Sequence, residues 1–264
     1  MADWQQLKCF TPARVALGRT GASLPTEALL DFDLAHARAR DAVHAVLHVD
    51  QIAADIKALG WPSIRVHSAA GDRAEYLRRP DLGRRLQQTI PRPFARPPEL
   101  LFVVADGLSA LAAERHAVPL LAVLRPNIAS WRVGPVMLAE QARVALGDAI
   151  GESLGAEIVV MLIGERPGLS APDSLGAYIT YGPRVGRSDA ERNCLSNIRP
   201  QGLTYELAAH RLLHLLEAAR GLRLTGVALK DQSRNAPATL TLNDECRDVP
   251  EKNCPPDPLP RGGN

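Results

Sequence analysis

The stretch GDAIGESLGAEIVVMLIGERPGLS, residues 147–170, decides the fold. Its centre, Ile158-Val159-Val160-Met161-Leu162-Ile163, is a continuous apolar run closed by Gly164. A run of that length without polar alternation predicts a strand buried on both faces. Ahead of it Gly147, Gly151 and Gly155 recur at every fourth residue, inside a helix expected over about 142–155. Each helical glycine costs about 1 kcal/mol against alanine. Three on one face therefore call for a compensating close approach, by a packed element or by a large flat ligand. Glu165 follows the strand directly and stands beside a turn stiffened by Pro167. That places a carboxylate at the strand's carboxyl end; an ion pair with Arg166 is the plainer account of it.

The pattern repeats on both sides of this stretch. Leu100–Ala105 is a second buried strand and runs into Asp106-Gly107-Leu108-Ser109. Open parallel sheets carry ligand sites at such strand ends, whereas helix capping by Ser109 is the structural alternative. A further apolar segment covers about 131–140, Tyr178–Tyr181 reads as a strand, and a helix spans 204–220 between Thr204 and Gly221. Strands alternating with helices predict an α/β fold, a Rossmann-like and largely parallel sheet over residues 99–230. Residues 1–98 read as a helical N-terminal region. Its first helix, over 24–49, has Thr26 as N-cap after Pro25 and carries Leu29, Leu30, Leu34, Ala37, Val43 and Leu47 at helical spacing, the pattern of one apolar face; a second follows at 51–60. Ile64–Val66 is a short strand, and residues 79–86 turn into a short helix before Pro91, Pro93, Pro97 and Pro98 break the chain. Residues 231–264, rich in proline, read as a disordered tail, and Cys246 and Cys254 within it receive no catalytic role.

Composition narrows the function. The 264 residues are 46% apolar but only 4% aromatic, and the formal net charge is +2. A base-stacking platform has little material, and the charge is too small for an electrostatic nucleic-acid binder. Only four of the 31 basic residues are lysine; the arginine excess suits fixed bidentate contacts, or simply reflects a GC-rich coding sequence. Cys9, Cys194, Cys246 and Cys254 form no Cys-x-x-Cys pair, the N-terminus has no apolar signal core, and no run approaches a membrane span of about 18 residues. The expectation is a reducing, cytoplasmic protein that engages neither nucleic acid nor membrane. Dinucleotide, Walker, nucleophile-elbow and zinc-protease signatures are absent. His44/His48 and His210/His214 each have metal-ligand spacing but no third ligand, so ordinary helical histidines are favoured. Residues 188–198, Ser-Asp-Ala-Glu-Arg-Asn-Cys-Leu-Ser-Asn-Ile, crowd polar groups around Cys194. Asparagine amides there offer both donor and acceptor. The residues alone describe a polar-rimmed site with a glycine floor and leave its ligand open.

Several segments carry more than chemistry. TPARVALGRTGASLPTEALLDFDLAHARARDAV (11–43), YLRRPDLGRRL (76–86), VADGLS (104–109), residues 147–170 and DAERNCLSNIRP (189–200) resemble, in order and spacing, the small-subunit family of ethanolamine ammonia-lyases. The likeness covers about residues 10–230, and GERPGL together with ERNC-x-SNI is its most specific part. The resemblance implies a carbon–nitrogen lyase that uses adenosylcobalamin to convert ethanolamine to acetaldehyde and ammonia. It implies a large partner subunit holding the substrate site, and a small subunit supplying part of the cobalamin site from a Rossmann-like domain. It carries the cobalamin contacts onto Val144, Glu165 and Cys194, with no metal ligand and no catalytic residue in this chain. Packaging in a bacterial microcompartment is a further family expectation. Two readings compete with it: a nucleotide-binding module with phosphate at the Asp106–Ser109 turn, and a purely structural assembly subunit whose glycine stripe packs a helix.

Overall fold

The computed structural model describes residues 13–91 and 96–233. The expected disordered tail, apart from its first three residues, lies outside them, as do Cys9, Cys246 and Cys254. Six strands form one sheet: β1 (Ser63–His67), β2 (Leu100–Ala105), β3 (Val136–Glu140), β4 (Ile158–Gly164), β5 (Leu175–Tyr181) and β6 (Asn193–Ile198), in the order β1-β3-β2-β4-β5-β6. The helices are α1 (Thr26–His44), α2 (Val49–Ala58), α3 (Arg73–Arg78), α4 (Ala110–Leu124), α5 (Leu146–Leu154) and α6 (Tyr205–Leu222).

β2 and β4 are the centre, and every residue of both is buried. Their alternate side chains divide between two cores. Leu100, Phe102, Val104, Ile158, Val160 and Leu162 meet α2, α4 and α6 on one face, while Leu101, Val103, Val159, Met161 and Ile163 meet α5 on the other. This two-sided burial is why both strands read as unbroken apolar runs.

The α/β class holds, but the Rossmann-like, largely parallel sheet does not: the sheet is mixed. β1, β3, β2 and β4 run parallel, and β5 and β6 return antiparallel. The reason is local. The connection from β4 to β5 is a ten-residue turn, Glu165 to Ser174, with no helix in it, and a parallel return needs a longer crossover. β1, which precedes the boundary expected at residue 98, pairs along its whole length with β3.

Three helical expectations need correction. Leu29, Leu30 and Leu34 of α1 are exposed, and the helix buries Ala35 and Ala42 instead. Among the described residues α1 has α4 as its main packing partner. Pro25, rather than Thr26, stands at its N-cap, with no side-chain cap bond. α6 runs past Gly221 and ends at Arg223, in the left-handed conformation; Thr204 does cap its start, accepting from the Leu207 N–H.

Candidate cofactor-binding site

The strands of the parallel part end on one edge. The loop after β2 leads to α4 on one face and the loop after β3 leads to α5 on the other, the arrangement that opens a crevice beyond strand carboxyl ends. A cleft of about 390 Å³ lies there. Gly107 and Leu108 follow β2, Arg143 and Val144 precede α5, Ile163 and Gly164 end β4, Glu165 and Arg166 open the turn after it, and Tyr178 of β5 and Ser196 of β6 also line the cleft.

Glu165 is held by its surroundings. Ser196 Oγ donates to Oε1 at 2.6 Å, the Asn197 N–H donates to Oε2 at 3.2 Å, and Ser174 Oγ also donates to Oε2. No ion pair with Arg166 forms among the described residues, so that plainer account falls. Gly176 makes room: a Cβ there would stand 3.0 Å from Glu165 Oε1 and 3.1 Å from the Tyr178 ring. Cys194 does not line the cleft but pairs across the strands with Tyr178, which does. The residue as a whole is exposed, yet desolvation around the sulfur raises the thiol pKa, opposed by a hydrogen bond to Tyr178 and reinforced by the Glu165 charge. At neutral pH the thiol stays protonated, which disfavours a nucleophilic role.

Arg143 and Tyr76 form the cleft's second wall. Tyr76 is fully buried, donates its hydroxyl to the Ala142 carbonyl at 3.0 Å, and has the Arg73 and Arg143 guanidiniums over its ring, 4.7 and 4.2 Å from the ring centre. Two cation–π contacts help hold the ring. Sequence reasoning missed Tyr76, Arg143, Ser174 and Tyr178 as site residues. Tyr76 sat in a segment singled out only for its likeness, and the other three carry no motif of their own.

The Asp106–Ser109 turn is occupied by its own chain. Asp106 is buried and accepts from the N–H groups of Gly107, Gln141 and Ala142 and from Arg73. The Leu108 N–H is spent on Gly164 O and the Ser109 N–H on Asp106 O. A phosphate nest needs free N–H groups, and here they are used. Ser109 caps α4 through the Ala112 N–H, so the capping account is the observed one.

The glycine stripe faces protein. A Cβ on Gly151 would come within 2.5 Å of Val159 on β4 and of Pro183, and one on Gly147 would touch Val159 at 3.4 Å. The close approach that offsets the missing side chains is helix α5 on β4, which corrects the expectation of a glycine floor for a ligand. Gly155 ends α5 with φ +70°, a left-handed cap that bonds back to Glu152. Among the described residues no cluster of three metal-ligating side chains occurs. His48 bonds Glu114, and His210 stands 3.4 Å from the Ser233 carbonyl.

A sequence model of the family "Ethanolamine ammonia-lyase light chain" matches residues 1–230. The chain belongs to this family. Curated relatives named "Ethanolamine ammonia-lyase small subunit" agree along nearly the whole length. The one from Pseudomonas syringae pv. tomato is 55% identical over 240 residues, 88% of this chain and 84% of that one. The protein from Pseudomonas fluorescens strain Pf0-1 is 51% identical over 267 residues, 97% of this chain and 96% of its own. The Bradyrhizobium diazoefficiens protein is 56% identical over 234 residues, covering 86% and 90%. The light-chain match takes in every element that lines the cleft, from Tyr76 on α3 to Ser196 on β6. No helix among the described residues is long and apolar enough to cross a membrane.

Proposed function

We propose that this chain is the small subunit of a heteromeric, adenosylcobalamin-dependent ethanolamine ammonia-lyase and that it forms one wall of the cobalamin site. The observation that carries the reading is convergence. Val144 and Glu165, 21 positions apart, line one cleft, and Tyr178 and Ser196 tie the strand of Cys194 to its rim.

The donor set suits the cofactor. Corrin is a broad apolar ring edged with amide arms. The cleft offers apolar surface from Leu108, Val144, Ile163 and the Tyr178 ring, with Glu165 as the acceptor. A carboxylate has about four lone-pair sites, and three protein donors reach Glu165. One acceptor position remains for an amide N–H. At about 390 Å³ the cleft is near the small end of pockets that enclose even a drug-sized ligand, ~300–1,000 Å³. It accommodates an edge of cobalamin, and the large subunit supplies the rest.

When bound, adenosylcobalamin supplies the radical chemistry. Glu165 orients an amide arm, Val144 covers apolar ring surface, and Cys194 remains a small protonated neighbour. Together with the partner these groups exclude water from the cofactor's flank. The same reading sets the complex in the cytoplasm.

The test is reconstitution with the large subunit. Wild type should retain cobalamin through gel filtration, read by its visible absorbance, and form acetaldehyde from ethanolamine. Glu165→Gln should assemble normally but release cobalamin. Unchanged retention would sink the Glu165 assignment, and failure of wild type to assemble would sink the function.

A further inference from the structure

Among the described residues eleven large hydrophobic side chains are exposed, and five of them crowd into eleven positions: Leu24, Leu29, Leu30, Phe32 and Leu34, at 40 to 62% exposure. α1 buries only Ala35 and Ala42 against the body of the molecule. A sixth exposed side chain, Leu169, stands on the turn that begins with Glu165. A groove of about 560 Å³ runs between α1 and this turn, and both Leu34 and Leu169 line it. Exposed apolar surface gathered in this way marks an interaction face.

Its location says which partner. The turn is shared: Glu165 and Arg166 line the cofactor cleft at one end, and Leu169 lines the groove at the other. The cleft is shallow and takes only an edge of its ligand, so the subunit that covers the remainder approaches across this turn. The groove also has the composition of an interface: Leu17, Leu34 and Leu169 line it together with Glu27, Asp31 and Arg38.

We infer that α1 and Leu169 form a docking surface for the large subunit, continuous with the cobalamin cleft, so that one partner seals both. The inference rests on the function proposed above and names the surface through which that site is completed. It also explains why an apolar stripe legible at helical spacing is not buried in this chain: its cover comes from another one.

The experiment uses the full chain and the purified large subunit. Leu30 and Leu34 are 62% and 50% exposed, so Leu30→Asp with Leu34→Asp should leave the melting temperature of the isolated chain unchanged. Pairing with the large subunit should weaken at least about tenfold, the loss expected when two interface anchors go. Hydrogen exchange of wild type, which needs no variant, should show residues 26–44 protected on complex formation. Pairing as tight as wild type, or exchange in 26–44 indifferent to the large subunit, would overturn the inference. So would self-association of the chain alone that these substitutions abolish while pairing survives, because the face would then belong to a second copy. Glu165→Gln is the control: it should pair normally and lose only cobalamin. A wild-type chain that does not pair at all removes the function and this surface together, whereas a paired but substitution-insensitive complex removes the surface alone.

Discussion

The guanidinium of Arg192 lies 2.7 Å from the carboxylate of Asp148, and both side chains are almost wholly buried. The pair joins α5, which begins two residues after Val144, to the segment entering β6, which carries Cys194 and Ser196. Arg192 also donates to Thr180 and to the Arg187 carbonyl. Removing one member strands the other without water. Asp148→Ala should cost about 3–5 kcal/mol of stability, read from the denaturant midpoint of the chain. Asp148→Leu combined with Arg192→Met should be more stable than either single variant. A near-zero effect of Asp148→Ala would show that the pair does not hold α5 to β6.

Glu165 is positioned by two hydroxyls, Ser174 just before β5 and Ser196 within β6, and of the two Ser196 lines the cleft. Ser196→Ala should leave folding intact and raise the cobalamin Kd of the assembled complex about fivefold, the worth of one hydrogen bond. Equilibrium dialysis measures it. No change would mean that the carboxylate holds its orientation through Ser174 and Asn197 alone.

His116 gives the chain an acid-side sensitivity. It is buried, its Nδ1 stands 2.8 Å from the Tyr205 hydroxyl and its Nε2 3.6 Å from Asp173. Burial lowers its pKa below the free value of 6.5, with Asp173 opposing. The unfolded chain therefore takes up the proton first. The stability linked to this group is complete above pH 6.5 and declines as pH falls from there toward the folded pKa. Denaturation midpoints of wild type should drop between pH 7.5 and 5.5, and His116→Gln should flatten that segment of the profile.

Gly151→Ala separates packing from ligand binding. The added methyl would meet Val159 and Pro183 at 2.5 Å, so α5 must shift off β4 at about 1–3 kcal/mol. The melting temperature of the isolated chain should fall. A variant as stable as wild type that has lost only cobalamin would restore the glycine stripe as a ligand surface.

The central strands were legible because both faces of β2 and β4 are apolar, a signal contained in consecutive residues. So was Glu165, because a carboxylate directly after such a run can only stand at the strand's end. β6 was not: Asn193, Cys194, Ser196 and Asn197 are polar, and only Leu195 and Ile198 turn inward. An edge strand needs just one apolar face, and a short polar one leaves no period to read. Tyr178 was read as strand and nothing more, since its place in the site depends on which strands adjoin.

The sequence alone carries the α/β class, the two buried strands and the family. Only the tertiary structure decided that the sheet is mixed, that the glycine stripe meets β4, that the Asp106 turn spends its own N–H groups, and that α1 shows its leucines to solvent. The division has one physical cause. Local pattern records that a surface is to be covered or a backbone to be approached closely. What covers it is set by chain direction and by contacts between residues far apart in sequence, such as Glu165 with Ser196 or Gly151 with Pro183.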